Sequence, residues 1–426
     1  MIRLYKVSRG FTLVELMVAI VLGLLLTLGI TSLFSSTAAL NRQQEAMARV
    51  QENGRYSMST MSNDLRMGIG QFCSNNGGIA IPKANAWEDN ARTPIIKAQT
   101  VVLPDFSATN VVAPPTGWPA ASDYPLSPRF LLQGYSCPQG TPNCLPALPA
   151  GVNVPAVGTT NGTRPAGADI LTVRYLRSTG WSLNEGGSIC TPAQITIVPL
   201  ATDPPVVFNP GDLAMISTCG STQVFAGAYA AGKYTPGANF SAISCPDATS
   251  EARIFNFTRD FVTVTYFLRL DTDPNNAGRL VSSLYRSVNG QAQQVVQGVE
   301  RLNFLYRTED ATGAIQEMTA AQVTNAPGPT CPPPPYGYAA SAPEAGCLWR
   351  AVRSVEIFML LNTVDDMAAS AVDQSFRYSF NNAGAFVGVP APVPAPPPVT
   401  LVSGIDRGQM MRREFRSLVS VRNYDQ

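Results

Sequence analysis

The chain is 426 residues long, carries a formal charge of +1 and draws only 14% of its residues from Asp, Glu, Lys and Arg. Such a balance offers no global field for nucleic acid or an acidic substrate, and the absence of histidine removes Ser-His-Asp and Cys-His catalysis and any metal site that needs imidazole. With 34 glycines and 35 prolines the composition points to a loop-rich extracytoplasmic surface, and the length exceeds that of a single small domain.

The N-terminus holds Arg3, Lys6 and Arg9 and no acidic residue, and it leads into Gly10-Phe11-Thr12-Leu13-Val14-Glu15-Leu16. An apolar run then continues to Leu40, with Glu15 as its only charge. A basic head before an apolar segment is the pattern of a secretory signal or membrane anchor. Here, however, the small residue precedes the apolar run, so a cut between Gly10 and Phe11 leaves the hydrophobic helix on the mature chain. An isolated carboxylate in hydrocarbon is costly, and Glu15 therefore requires a partner.

This arrangement resembles the N-terminus of type IV prepilins and pseudopilins. The resemblance implies that a prepilin peptidase cuts between Gly10 and Phe11 and that the new amine of Phe11 is methylated. It also supplies the partner: the Glu15 carboxylate meets the N-terminal amine of a neighbouring subunit, so both charges are neutralised inside an apolar fibre core.

From Thr12 no proline interrupts the chain until Pro82. After Arg42 the apolar positions Met47, Val50, Gly54, Met58, Met61, Leu65 and Ile69 recur at helical spacing, with Arg42, Glu45, Arg49, Glu52, Arg55 and Asp64 assigned to the polar face. The pattern predicts a helix from about Thr12 to about Met67, on the order of 80 Å long, stopped near Gly68-Ile69-Gly70. Its first half, apolar all round, needs lipid or other helices; its second half needs one wall to pack on.

The stretch 73–167, rich in Pro, Gly, Ala, Ser and Asn, reads as an irregular excursion with short apolar runs at Ile95-Ile96 and Val101-Leu103. Strands are expected at 168–176, 195–200 and 212–217, and the alternation in 261–270 predicts a strand whose outer face is partly covered at Phe267. A hairpin to 279–288 follows. Its loop places Asp271, Asp273 and Asn275 at alternate positions, which invites calcium, but Asn276 stands where the calcium loop has Gly and Ser282 where it has Glu, so a turn is preferred. A further strand is read in 294–307 after a turn at Gly298, a doubly buried one in 351–361, and a final one in 412–423. In that last strand the arginines read as a solvated face in preference to a phosphate or DNA contact. The proline-rich stretches 326–336 and 389–400 read as stiff surface loops.

Eight cysteines all follow the apolar segment, which reads as a disulfide framework in an oxidising compartment. Closure of neighbours suggests Cys137 with Cys144 and Cys331 with Cys347; Cys73, Cys190, Cys219 and Cys245 stay unassigned. No Cys-x-x-Cys pair favours zinc.

Leu284-Tyr285-Arg286, Val296-Gln297-Gly298-Val299-Glu300, the strand from Val352 to Leu361 and the closing Arg412-Arg413 with Val421-Arg422-Asn423 are similar to the PilW type of minor pilin. A J-type pseudopilin of type II secretion shares the N-terminus and a similar strand plan, and a membrane-tethered enzyme or binding module is a more distant alternative. The resemblance implies an α+β, pilin-like fold, with a long N-terminal helix on an antiparallel sheet carrying large loop-rich insertions. It divides the chain into a leader (1–10), an apolar half-helix for membrane and assembly (11–40), an amphipathic half (41–70) and a β-rich globular region (71–426). It implies a noncatalytic subunit without cofactor or nucleic-acid partner. The implied partners are the membrane, other minor pilins and the major pilin, the prepilin peptidase, an inner-membrane assembly platform and a tip adhesin, with twitching motility or adhesion downstream.

Overall fold

The computed structural model describes residues 12–68, 81–83, 86–88, 94–98, 101–102, 111–112, 122–126, 130–138, 141–149, 152–183, 185–218, 221–238, 241–247, 251–274, 276–309, 313–325, 347–365, 378–380 and 410–421. The expected proline-rich loops at 326–336 and 389–400 lie outside these residues, as do Ile69 and Gly70.

One helix, α1 (Leu13–Met67), runs through 55 residues. Thr12 caps its start by accepting a hydrogen bond from the Glu15 N–H, and the Glu15 side chain reaches back to the Thr12 N–H, a reciprocal pair that satisfies two otherwise orphaned donors. Its end is set at Gly68, whose N–H bonds the carbonyls of Asp64 and Leu65. A Cβ there would stand 2.6 Å from the Val173 side chain, so the absence of a side chain lets the sheet approach the helix end.

Nine strands form two central antiparallel sheets: β1 (Leu132–Tyr135), β2 (Ile170–Leu176), β3 (Phe261–Asp273), β4 (Asn276–Val288), β5 (Gln291–Gln297), β6 (Val299–Glu309), β7 (Ile315–Met318), β8 (Val352–Asn362) and β9 (Arg412–Ser420). The first sheet has the order β5-β4-β3-β2-β1 and the second β7-β6-β8-β9. The chain changes sheets at Gly298, which adopts φ +86° and leaves no room for a Cβ beside Asn362; the turn expected there is present, β6 is the strand after it, and the residues before it belong to the other sheet as β5. On β3 the side chains of Val264, Tyr266 and Leu268 join the main core. On the opposite face Phe267 stacks on Tyr285 beneath the Cys137–Cys144 loop, so that face is covered too. β8 is buried on both faces along nearly its whole length.

Between β2 and β3 the chain builds a satellite module. Its six-stranded sheet centres on Ala214–Thr218, and its four-stranded sheet includes Lys233–Pro236. Trp181, Ile195, Phe225, Tyr234 and Ile254 form its separate core, and a disulfide joins Cys190 to Cys245. Two strands of this module's larger sheet, Ile95–Ile96 and Tyr124–Pro125, come from the stretch read as irregular, and β1 in the first central sheet comes from it as well. That reading is corrected: two-residue strands carry no periodicity, and β1 (Leu-Gln-Gly-Tyr) is buried at all four positions and so shows no alternation. The expected strand at 195–200 shortens to Ile195–Thr196.

The half of α1 beyond Leu40 lies on both central sheets, with Val50, Gly54, Ser57, Met61, Asp64 and Leu65 buried. Three contacts set its alignment. Gln43 donates to the Met411 sulfur at 3.3 Å, Gly54 receives the Phe415 ring, and Asp64 meets Tyr175, Tyr266 and Arg286. β9 therefore runs in the same direction as the helix, away from its apolar half. A Cβ at position 54 would fall 2.3 Å from the Phe415 ring, a contact that forces the ring or the helix to move. Gly54→Ala is expected to lower stability by about 1–3 kcal/mol through overpacking, and Phe415→Leu in the same chain should recover part of the loss; chemical denaturation of the detergent-solubilised protein measures both.

Candidate functional site

Residues 13–40 of α1 project from the sheets with every side chain exposed, among them Leu13, Leu16, Leu24, Leu33 and Phe34. The helix is long and apolar enough to cross a membrane. Two of its hydroxyls are satisfied internally, Thr27 donating to the Gly23 carbonyl at 2.7 Å and Thr31 to the Thr27 carbonyl at 2.9 Å, so these two add no unmet polar group to an apolar surround. Glu15 sits one turn from the start, its carboxylate accepting from the Thr12 N–H at 3.3 Å and the Thr12 hydroxyl at 3.2 Å. Gly10 and Phe11, assigned to the peptidase cut, lie outside the described residues.

The other end of the helix is held by a charge. The Asp64 carboxylate accepts both arms of Arg286, at 2.7 and 2.9 Å, together with the hydroxyls of Tyr175 (2.9 Å) and Tyr266. Asp64 retains only 8% side-chain exposure. Burial and the adjacent Asp64 charge push the Tyr175 hydroxyl up to about 12 and Tyr266 further still, while the hydrogen bonds to Asp64 hold Arg286 above its ordinary value. The assignment of Asp64 to the polar face is thus corrected. Gly54, Ser57, Met61, Asp64 and Gly68 recur at alternating spacings of three and four, so the carboxylate lies on the buried stripe, and hydrophobicity alone hid it.

Further carboxylates join strands and sheets. Asp169, beside β2, accepts from the Cys137 N–H at 2.8 Å, the Asn303 amide at 3.0 Å and the Phe304 N–H at 3.3 Å, which links the disulfide loop, the first sheet and β6. Burial raises its carboxyl from 3.8 to about 6 against the opposing pull of those donors and Arg301. Glu300 of β6 is almost fully buried and takes Arg412 of β9 at 2.7 Å and Asn362 of β8 at 2.7 Å. Glu356 pairs with Arg416. Arg412 is thereby taken out of solvent, which corrects the expected solvated face at that position, while Arg413 and Arg416 are exposed as expected, Arg416 also pairing with Glu356; Arg407 and Arg422 lie outside the described residues. No sequence signal marks Glu300 or Glu356, because strand pairing brings their partners from over 50 residues away.

In the hairpin that invited calcium, Asp271 accepts from Arg269 at 2.8 Å and from the Tyr285 hydroxyl at 2.9 Å, and Asp273 lies 3.6 Å from Arg279. Both carboxylates face protein cations, and no cluster of three acidic, Cys or His ligands occurs among the described residues. Disulfides join Cys137 to Cys144 and Cys190 to Cys245. Cys73, Cys219, Cys331 and the Cys347 side chain lie outside the described set.

A helix with one half apolar and free and the other clamped by a buried carboxylate onto antiparallel sheets defines a membrane-anchored, pilin-like subunit. The comparisons narrow this. Residues 265–423 match the family model described as Type IV Pilus-assembly protein W, and residues 5–31 match the prokaryotic N-terminal methylation motif. Together they support a PilW-type pilin with a role in type IV pilus assembly, anchored in the membrane through its N-terminal helix. The larger match runs from within β3 to the end of β9 and leaves the satellite module outside. No curated protein and no solved structure matches the chain.

Asp64→Ala leaves the half-buried Arg286 without its anion and two buried hydroxyls without an acceptor, and is expected to cost about 1–3 kcal/mol, with Asp64→Asn intermediate, in chemical denaturation of the solubilised protein. Asp169 makes a pH prediction. Between about pH 4 and 6 the folded protein holds a proton that the unfolded chain has released, so this carboxyl's contribution is greatest below that window and declines as pH rises through it. Asp169→Ala should be less stable than the parent at pH 4, and the gap should narrow by about 2 kcal/mol by pH 6; a gap that widens with pH contradicts the assignment.

Proposed function

We propose that the chain is a minor pilin, a noncatalytic structural subunit that takes part in initiating type IV pilus assembly near the tip. The observation that carries this reading is the division of α1. Half of it exposes a continuous apolar surface with a single charge, which only lipid or other helices can cover, and the other half is immobilised on the sheets. Such a helix suits storage in the inner membrane followed by transfer into a fibre. Before assembly the globular region (71–426) faces the periplasm; afterwards it stands on the pilus surface.

In this reading residues 1–10 are a leader removed by the prepilin peptidase between Gly10 and Phe11, and Phe11 is methylated at its new amine. Glu15 then exchanges its bonds to Thr12 for the amine of a neighbouring subunit. Those bonds are long, at 3.2–3.3 Å, and made to neutral donors, a hydroxyl and an amide, whereas an ammonium group brings the opposite charge that neutralises the carboxylate in an apolar surround. The partners are other minor pilins, the major pilin and the inner-membrane assembly platform, with display of an adhesin, surface adhesion and twitching motility downstream.

Gly10→Val is expected to block leader removal while leaving membrane insertion intact, read as a size shift of the membrane-fractionated protein; normal processing of that variant removes the proposal. Glu15→Ala should be processed normally yet lose most of its incorporation into sheared pili. Deletion of the chain should abolish surface pili and twitching, whereas accumulation of secreted enzymes in the periplasm would assign it to type II secretion.

A further inference from the structure

The two central sheets have four edges among the described residues, and they are managed in different ways. β1 is buried at every position. β9 carries Arg412, Arg413, Glu414 and Arg416, and β7 carries Glu317, the charged side chains by which proteins discourage pairing at an open edge. β5 has no such protection. Its sequence, Gln-Ala-Gln-Gln-Val-Val-Gln, contains no charge and no proline, and Gln291, Ala292, Gln293 and Gln294 are exposed. On its inner side it pairs with β4, and no described strand pairs with its outer side.

The polarity of this edge follows from the anchor. β4 begins near Met410, which Arg279 approaches at 3.7 Å, and reaches Asp64 through Arg286. Because Met411 lies at Gln43 and Asp64 lies at the helix end, β4 runs away from the apolar half of α1. β5, antiparallel to β4, therefore runs towards it. Subunits inserted in one membrane, or stacked in one fibre, share the direction of their helices. An antiparallel partner for β5 must then be a strand that runs outward, as β9 does in this chain.

We propose that the outer edge of β5 is an assembly surface that takes an extended, outward-running edge strand from a neighbouring pilus subunit, adding it antiparallel to the first sheet. Backbone hydrogen bonds supply the attraction, and the uncharged glutamine side chains impose little demand on the sequence added. The edge adjoins the clamped half of α1, since Val295 and Val296 pack into the core that α1 shares, so strand addition would brace the helix that carries the assembly charge. The inference rests on the pilus-subunit reading and specifies how one neighbour is engaged.

The test uses the full chain in piliated cells, with a photo-crosslinking residue at Gln293 and, in a parallel strain, at the exposed Tyr56 of α1. The expected result is a Gln293 adduct mapped to an extended edge segment of another pilus subunit. Gln291→Lys with Ala292→Lys, both exposed and neither opposite Arg286, should lower that neighbour's co-purification by about tenfold while leaving thermal stability unchanged. Adducts from Tyr56 to pilus subunits but none from Gln293, or Gln293 adducts confined to helical segments, overturn the strand-addition proposal and leave the pilus reading standing. Absence of pilus-subunit adducts from both positions overturns both.

Discussion

The structure depends on one buried carboxylate. Asp64 lies near the C-terminal end of a 55-residue helix and collects a guanidinium and two phenolic hydroxyls from three strands of the first sheet. Removing those groups from water costs free energy, and the bidentate arginine with two further donors offsets it by satisfying the carboxylate on both oxygens. Apolar contacts along the stripe would tolerate sliding or rotation of the helix; a four-point ionic seat does not. The direction of every central strand relative to the membrane segment follows from that fixed alignment.

The same device recurs within the globular region. Asp169 joins the disulfide loop to both sheets, and Glu300 receives Arg412 in a pair with almost no solvent exposure. In a chain only 14% charged, much of the charge is spent on internal registration, which is consistent with an outer surface that carries no strong field. In the role proposed above, such registration would keep the sheets at a set height along the helix whatever surrounds its apolar half.

The satellite module is the part least tied to this plan. It has its own core around Trp181, Tyr234 and Ile254 and its own disulfide, and it lies outside the span that matches the PilW family. It is inserted between β2 and β3, which pair with each other on either side of the insertion. The central sheet therefore closes without it in pairing, although Ile96, Met215, Val224 and Phe255 on the other face of the module's larger sheet pack into the main core.

Several elements were legible in the residue order because their signals are local. The capped helix start at Thr12, the apolar run to Leu40, the helical stripe from Val50 to Leu65, the alternation in β3 and the continuous apolar character of β8 each need only their own neighbours to be recognised. The methylation motif matched over residues 5–31 is of the same kind. What only the tertiary structure decided involves partners distant in sequence: the burial of Asp64 against Arg286, the pairing of Arg412 with Glu300, the recruitment of two-residue strands from the 73–167 stretch, and the division of the chain into two sheets at Gly298. The physical reason is that hydrophobic periodicity reports which face of an element turns inward, whereas the sign and position of a buried charge have meaning only once the opposite charge has been brought beside it.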